Sequence, residues 1–230
     1  MYDFDWNAIV LALPFLWDGM VLTCKITFVA ISAGILIGTG LALLRLANLP
    51  VLSSLAAAYI NFFRSIPLLM VLLWFFLIIP QLFKQVFQLS SAAQMRLPLA
   101  MLGFALFEAA YYAEIIRAGI QGIRHNQILA SYALGLNYVQ TMRWIILPQA
   151  FRKIIPVLLT QAIILFQDTS LVYIGGLNDF FNTAAIQANI QHRYVEFYIF
   201  AAIIYLILCS AASYIVSRLN INSRNGRHSQ

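Results

Sequence analysis

Asp168 is one of few charged side chains in this sequence, and it sits at the end of an apolar run, Ile154 to Ile174. Gln161 lies two helical turns earlier and so shares its helix face, while Gln167, Thr169 and Ser170 add donors and acceptors nearby. A carboxylate among amides and hydroxyls can hold a small cationic group such as an ammonium; it can equally be a structural contact made to a neighbouring helix. Arg64 is the next candidate. It precedes Pro67, where a guanidinium can neutralise a carboxylate, snorkel to an interface, or bond carbonyls freed by the proline break. Glu114 has Arg117 three positions on for a local ion pair, whereas Glu108 has no local partner and must look to another helix. Lys25 is placed to snorkel.

Other chemistries lack their residues. No Gly-x4-Gly-Lys-Ser/Thr cradle for ATP phosphates occurs, and no His-Glu-x-x-His, Ser/His or paired-Asp arrangement, so no catalytic residues are expected. Cys24 and Cys209 each lie alone in apolar runs, which points to inert thiols and no metal site. His125, His192 and His228 fall in polar segments with no sign of a pH-sensing role.

The elements that must position these residues follow from composition. The chain has 230 residues, 62% hydrophobic and 10% charged, with a mean hydropathy of +0.84. A soluble domain carries about 25% charged residues, so a water-soluble enzyme and a disordered chain are both excluded. A polytopic membrane protein remains. A crossing helix needs roughly 20 apolar residues, and five stretches qualify: about 19–44, 52–83 (with a break at Arg64-Ser65-Ile66-Pro67), 97–116, 154–174 and 197–216. Gly34, Gly38 and Gly40 in the first are small residues that permit close helix approach. Phe4–Trp17 is apolar but short and flanked by aspartates, which reads as a separate interfacial helix.

Five spans put the two ends on opposite sides. With the N-terminus outside, the inner segments hold Arg45; Arg117, Arg124, Arg143, Arg152 and Lys153; and Arg218, Arg224 and Arg227, against Lys84, Arg96 and Arg193 outside. The positive-inside rule therefore predicts a periplasmic N-terminus and a cytoplasmic C-terminus. The formal net charge of +6 is thus a topology signal, and no nucleic-acid partner is expected.

The inner connection, about 117–153, is too long for a simple turn and too polar to cross. Ile128–Leu134 reads as a short helix stopped by Gly135 in a left-handed conformation. Asn137 can cap a second short helix carrying Val139, Met142, Ile145 and Ile146, which Pro148 is expected to end. Such a helix–turn–helix suits docking, or lying on the lipid surface.

Gly135, nine intervening residues, then Ile145-Ile146-Leu147-Pro148 resembles part of the cytoplasmic loop motif of ATP-binding-cassette importer permeases. Phe63-Arg64-Ser65-Ile66-Pro67-Leu68-Leu69, the run from Ala110 to Ile120, Leu147-Pro148-Gln149-Ala150-Phe151-Arg152 and Phe166-Gln167-Asp168-Thr169-Ser170-Leu171 resemble the polar amino acid subfamily, most of all its glutamate/aspartate permeases. One departure is that Leu129-Ala130-Ser131 stands where the loop motif has Glu-Ala-Ala.

The resemblance implies an all-α integral membrane protein with five transmembrane helices, a type I importer permease fold, in the bacterial inner membrane as one permease domain over 1–230. It implies that Leu129, Ala130, Ser131, Gly135, Asn137, Ile145, Leu147 and Pro148 belong to a coupling loop that docks on a separate ATPase dimer, where ATP and Mg2+ bind. It also implies a second, similar permease chain and a periplasmic amino-acid-binding protein, with Asp179, Arg193 and Glu196 as rim contacts. Substrate would meet Asp168, Gln161, Thr169, Ser170 and Arg64. The neutral Gln161 argues against a cationic amino acid. An ATP-independent carrier or channel would instead predict inverted repeats, and no convincing one is visible.

Overall fold

The computed structural model describes residues 4–47, 49–82 and 92–225, with side chains over 4–47, 49–82 and 95–218. Phe83 at the end of the second expected span, Lys84, Arg227 and His228 lie outside the described residues, as does the side chain of Arg224. The described residues are almost entirely helical: α1 Asn7–Leu46, α2 Pro50–Ser65, α3 Leu68–Leu82, α4 Ala92–Gln121, α5 His125–Ala133, α6 Tyr138–Gly175, α7 Phe180–Gln191 and α8 Tyr194–Asn225. Four of them are long and apolar enough to cross a membrane unbroken, and the bent pair α2–α3 makes up a fifth if counted as one span.

Most of Phe4–Trp17, expected as a separate interfacial helix, is instead the start of α1, a single helix of 40 residues from Asn7 to Leu46, or about 60 Å. Its buried face explains why it continues. Ala8, Ile9, Ala12 and Leu16 pack against Phe180, Ala184 and Ala188 of α7 and Phe197 and Ala201 of α8. Asp18 stays exposed, while Gly19 next to it lets α7 approach: a Cβ there would lie 2.7 Å from the Thr183 hydroxyl and 2.8 Å from the Asp179 carbonyl.

The two helical breaks expected at prolines turn out differently. Between α2 and α3 the chain bends by 100°. Ile66, forced out of the helical region by the ring of Pro67, is extended at φ −112° and ψ 137°. At Pro148, by contrast, the helix does not stop. Residues Thr141–Ile146 form a π-helical turn that runs directly into the α-helix Leu147–Asp168. The wider turn makes room for a ring that would otherwise crowd the carbonyl four residues back. The second short helix of the loop is therefore the lower end of α6, and Pro148 lies inside that continuous rod.

Close contact between α1 and α4 sets the level of the polar groups. A Cβ at Gly38 would lie 2.8 Å from the carbonyl of Ala109, and one at Gly34 would lie 3.1 Å from both Glu108 Cβ and the Tyr112 ring. Gly40, the third glycine of the expected stripe, meets nothing within 4 Å. In a bilayer, where lipid tails are as apolar as leucine, such approach gains van der Waals contact in place of hydrophobic burial. A central core of Ile26, Leu72, Phe104, Leu165 and Val172 then joins α1, α3, α4 and α6.

Candidate functional site

Two regions gather the residues that composition and spacing single out. The first lies where α4 faces α6 and the end of α2. Glu108 of α4 is fully buried, and the Gln161 amide of α6 donates to both of its carboxylate oxygens at 3.2 Å. This is the interhelical partner Glu108 lacked locally. Asp168 follows two turns above Gln161, half-buried, where α6 tightens from α- to 3-10-helix. Among the described residues it makes no hydrogen bond, and it lies within electrostatic reach of Glu108 and of the Tyr111 hydroxyl.

Tyr111, one turn along α4 from Glu108, links this acidic group to Arg64, whose guanidinium sits 5.7 Å from its ring centroid. Sequence reasoning passed over Tyr111 as a site residue. The available signal was its place at i+3 from an unpartnered intramembrane glutamate. Thr169, at the start of the 3-10 turn, is fully buried and its hydroxyl donates to the Phe166 carbonyl at 2.7 Å. Ser170 is half-buried.

The neutrality of Gln161 does not make the cluster neutral. Glu108 is bonded to it, so two carboxylates share the neighbourhood, and the charge argument drawn from Gln161 alone loses its force.

Below Tyr111 the sign reverses. Glu114 is gripped by Arg117, with Nε 2.9 Å from Oε2 and a second contact from Nη2 to Oε1. Arg64 Nη1 approaches the same carboxylate to 3.8 Å and Arg45 Nη1, at the end of α1, to 4.0 Å. Three guanidinium groups thus surround one carboxylate.

The second region is the loop. Helix α5 ends on Gly135 at φ +78°, with Leu136 N–H donating to Ser131 O at 3.1 Å and Gly135 N–H to Tyr132 O at 2.9 Å. Those two bonds satisfy carbonyls that a helix end would leave open. Asn137 then caps α6 reciprocally with Gln140, at 2.9 Å both ways. Ser131 faces inward, 3% exposed, its hydroxyl 2.9 Å from that of buried Thr141. Ile123, Ile146, Ala150 and Ile154 form the core beneath.

Outward, Leu129, Tyr132, Leu134, Tyr138, Val139 and Trp144 are exposed, Leu134 to 80%. Of the expected coupling residues, Leu129, Ala130, Gly135, Asn137 and Pro148 are at the surface, Ile145 and Leu147 are half-buried, and Ser131 serves the loop's own interior.

On the opposite face two expected rim contacts are interior. Asp179 is fully buried as the N-cap of α7, accepting from Phe181 N–H at 3.1 Å and Asn182 N–H at 3.0 Å. Burial pushes its carboxyl up to about 6, against those two hydrogen bonds. Glu196 is also fully buried and accepts from Asp5 N–H at 3.2 Å and from Arg193 at 3.4 Å. Asp179 holds the start of α7, Glu196 ties the chain before α1 to the start of α8, and both are out of a partner's reach.

The chain is 52% identical over 219 residues to the glutamate/aspartate import permease protein GltK of Escherichia coli O6:H1, covering 95% of this chain and 98% of that one. It is 32% identical over 212 residues to the probable glutamine permease protein GlnP of Bacillus subtilis, covering 91% and 94%. Among solved structures, a chain of an amino acid ABC transporter crystallised with histidines superposes with a TM-score of 0.86 at 29% identity, over 96% of this chain and all of that one. Residues 30–223 match the family described as binding-protein-dependent transport system inner membrane component. With that match over most of its length, and with the fold just described, the chain belongs to this family of ABC importer permeases.

Proposed function

We propose that this permease carries acidic amino acids, glutamate and aspartate, and that the cluster around Asp168 is where they pass. The observation that carries the reading is the buried Glu108–Gln161 pair, with Asp168 two turns along α6 from Gln161 and Arg64 over the ring of Tyr111, one turn along α4 from Glu108. An amino acid offers an ammonium to Asp168, and Gln161 and Ser170 are amide and hydroxyl partners beside it. Arg64 suits a carboxylate. The 52% identity to a glutamate/aspartate permease supports the same substrate.

The remaining roles follow from the family. ATP and Mg2+ are bound by a separate ATPase dimer, and the chain itself performs no catalysis. The exposed apolar face of α5 and the start of α6 enter a groove on that ATPase, and α6, being one continuous rod from Tyr138 to Gly175, carries the motion directly to Asp168. A second permease chain completes the pathway, a periplasmic binding protein delivers substrate, and the N-terminus is periplasmic.

The test is ATP-dependent uptake by the purified complex in liposomes, with its binding protein and competing amino acids. Labelled glutamate should accumulate and be displaced by aspartate. Preference for arginine or glutamine would overturn the substrate, and purification without any ATPase chain would overturn the machinery.

A further inference from the structure

We infer that Arg45, Arg64 and Arg117 form an anion station on the substrate's route, held closed in this structure by Glu114 as an internal stand-in for a substrate carboxylate. The inference rests on the proposed acidic substrate and adds a second subsite to it.

One carboxylate takes one arginine in fork geometry, and any further donor must come within hydrogen-bond distance of a remaining lone pair. Arg117 takes that place on Glu114. The other two guanidinium groups stand at 3.8 and 4.0 Å, close enough to be attracted but without a hydrogen bond to that carboxylate. Arg45 Nη1 is buried and has no hydrogen-bond partner among the described residues. Three positive charges around one negative charge repel one another, and a buried N–H without an acceptor is costly. A second carboxylate would relieve both.

Position supplies the occupant. Arg64 belongs to this group and also lies over the ring of Tyr111, which follows Glu108 by one turn of α4. Glu108, bonded to Gln161 of α6, lies one turn before Tyr111 on α4, and Glu114 with its three guanidinium groups lies one turn after it, so charge changes sign along α4 at Tyr111. A dicarboxylic amino acid carries both signs: its ammonium matches the upper part and its carboxylates the lower. Displacing Glu114 from the arginines lets the substrate enter by exchange of one carboxylate for another.

Glutarate, a dicarboxylate without an ammonium, separates the two subsites. Equilibrium binding of labelled glutamate and of labelled glutarate is measured on the detergent-solubilised, nucleotide-free complex without binding protein. Wild type should bind both. Arg45→Gln should weaken both about tenfold, the worth of one charged hydrogen bond. Asp168→Asn should weaken glutamate and spare glutarate.

Glu114→Gln should bind glutarate several-fold more tightly, a gain that misfolding cannot imitate. Failure of the complex to bind or transport glutamate would overturn the substrate reading. Glutamate binding without glutarate binding, or no change with Arg45→Gln, or no gain with Glu114→Gln, would overturn the anion station alone.

Discussion

The polar cluster inside the spans and the loop beneath it solve opposite problems. Around Tyr111, charged groups gather within the apolar spans: Glu108 is buried against Gln161, Glu114 is held by Arg117, and Arg64 lies over the Tyr111 ring. On the loop, the outward side chains are Leu129, Leu134, Tyr138, Val139 and Trp144, and the polar bonds are turned inward to hold shape. One region concentrates charge within the spans, where the proposed substrate would pass, and the other presents an exposed apolar surface. α6 joins them without a hinge, because the π turn before Pro148 keeps the helix running.

Substitutions that separate the two roles sharpen this contrast. The largest effect is expected from Gly135→Asp. Nothing lies within 4 Å of a Cβ there, so the substitution meets no clash but strains the backbone at φ +78°, by about 1 kcal/mol, and adds a charge to the proposed docking face. Substrate-stimulated ATP hydrolysis in the reconstituted complex should be abolished with membrane insertion intact. Normal transport would break the assignment of the loop.

Next comes Gln161→Glu, which places a further carboxylate against Glu108. Like charge should cut glutamate uptake about tenfold and raise competition by arginine. The loop's response to ATP in the same vesicles should be unaltered.

Gly38→Ala tests the packing that sets the level of Glu108. Its methyl would meet the Ala109 carbonyl at 2.8 Å, so a loss of about 1–3 kcal/mol of stability is expected, read as a lower melting temperature in detergent.

Smallest is a pH effect far from both regions. Because burial raises the Asp179 carboxyl from 3.8 to about 6, the protonated form is favoured by the fold. Its contribution to stability is full below pH 3.8 and is lost as pH rises through about 6. Thermal stability should therefore fall modestly from pH 5 to pH 7, and Asp179→Asn should flatten that slope while keeping the cap.

Hydropathy made the spans legible, since a run such as Tyr194–Arg218 can be little else. The loop's stop and cap were equally readable, because Gly135 acts through its backbone and Asn137 through a side-chain bond three residues away, both local in sequence. Where tertiary packing decided, sequence was blind. Nothing local tells that Ala8 and Ala12 would find α7 and extend α1, nor that a π turn would carry the helix past Pro148. At the site, Asp168 and Arg64 stood out by charge alone. The Glu108–Gln161 bond spans 53 positions, and the burial of Thr169 accompanies a local change of helix type; neither has a signature in spacing.

The most direct test of the account is Asp168→Asn in the reconstituted complex, with glutamate uptake and ATP hydrolysis followed in the same vesicles. Loss of the ammonium partner should reduce uptake about a hundredfold, an effect of roughly 3 kcal/mol, while basal hydrolysis through the intact loop persists. Glutamate uptake at the wild-type rate would contradict the placement of the substrate at Asp168.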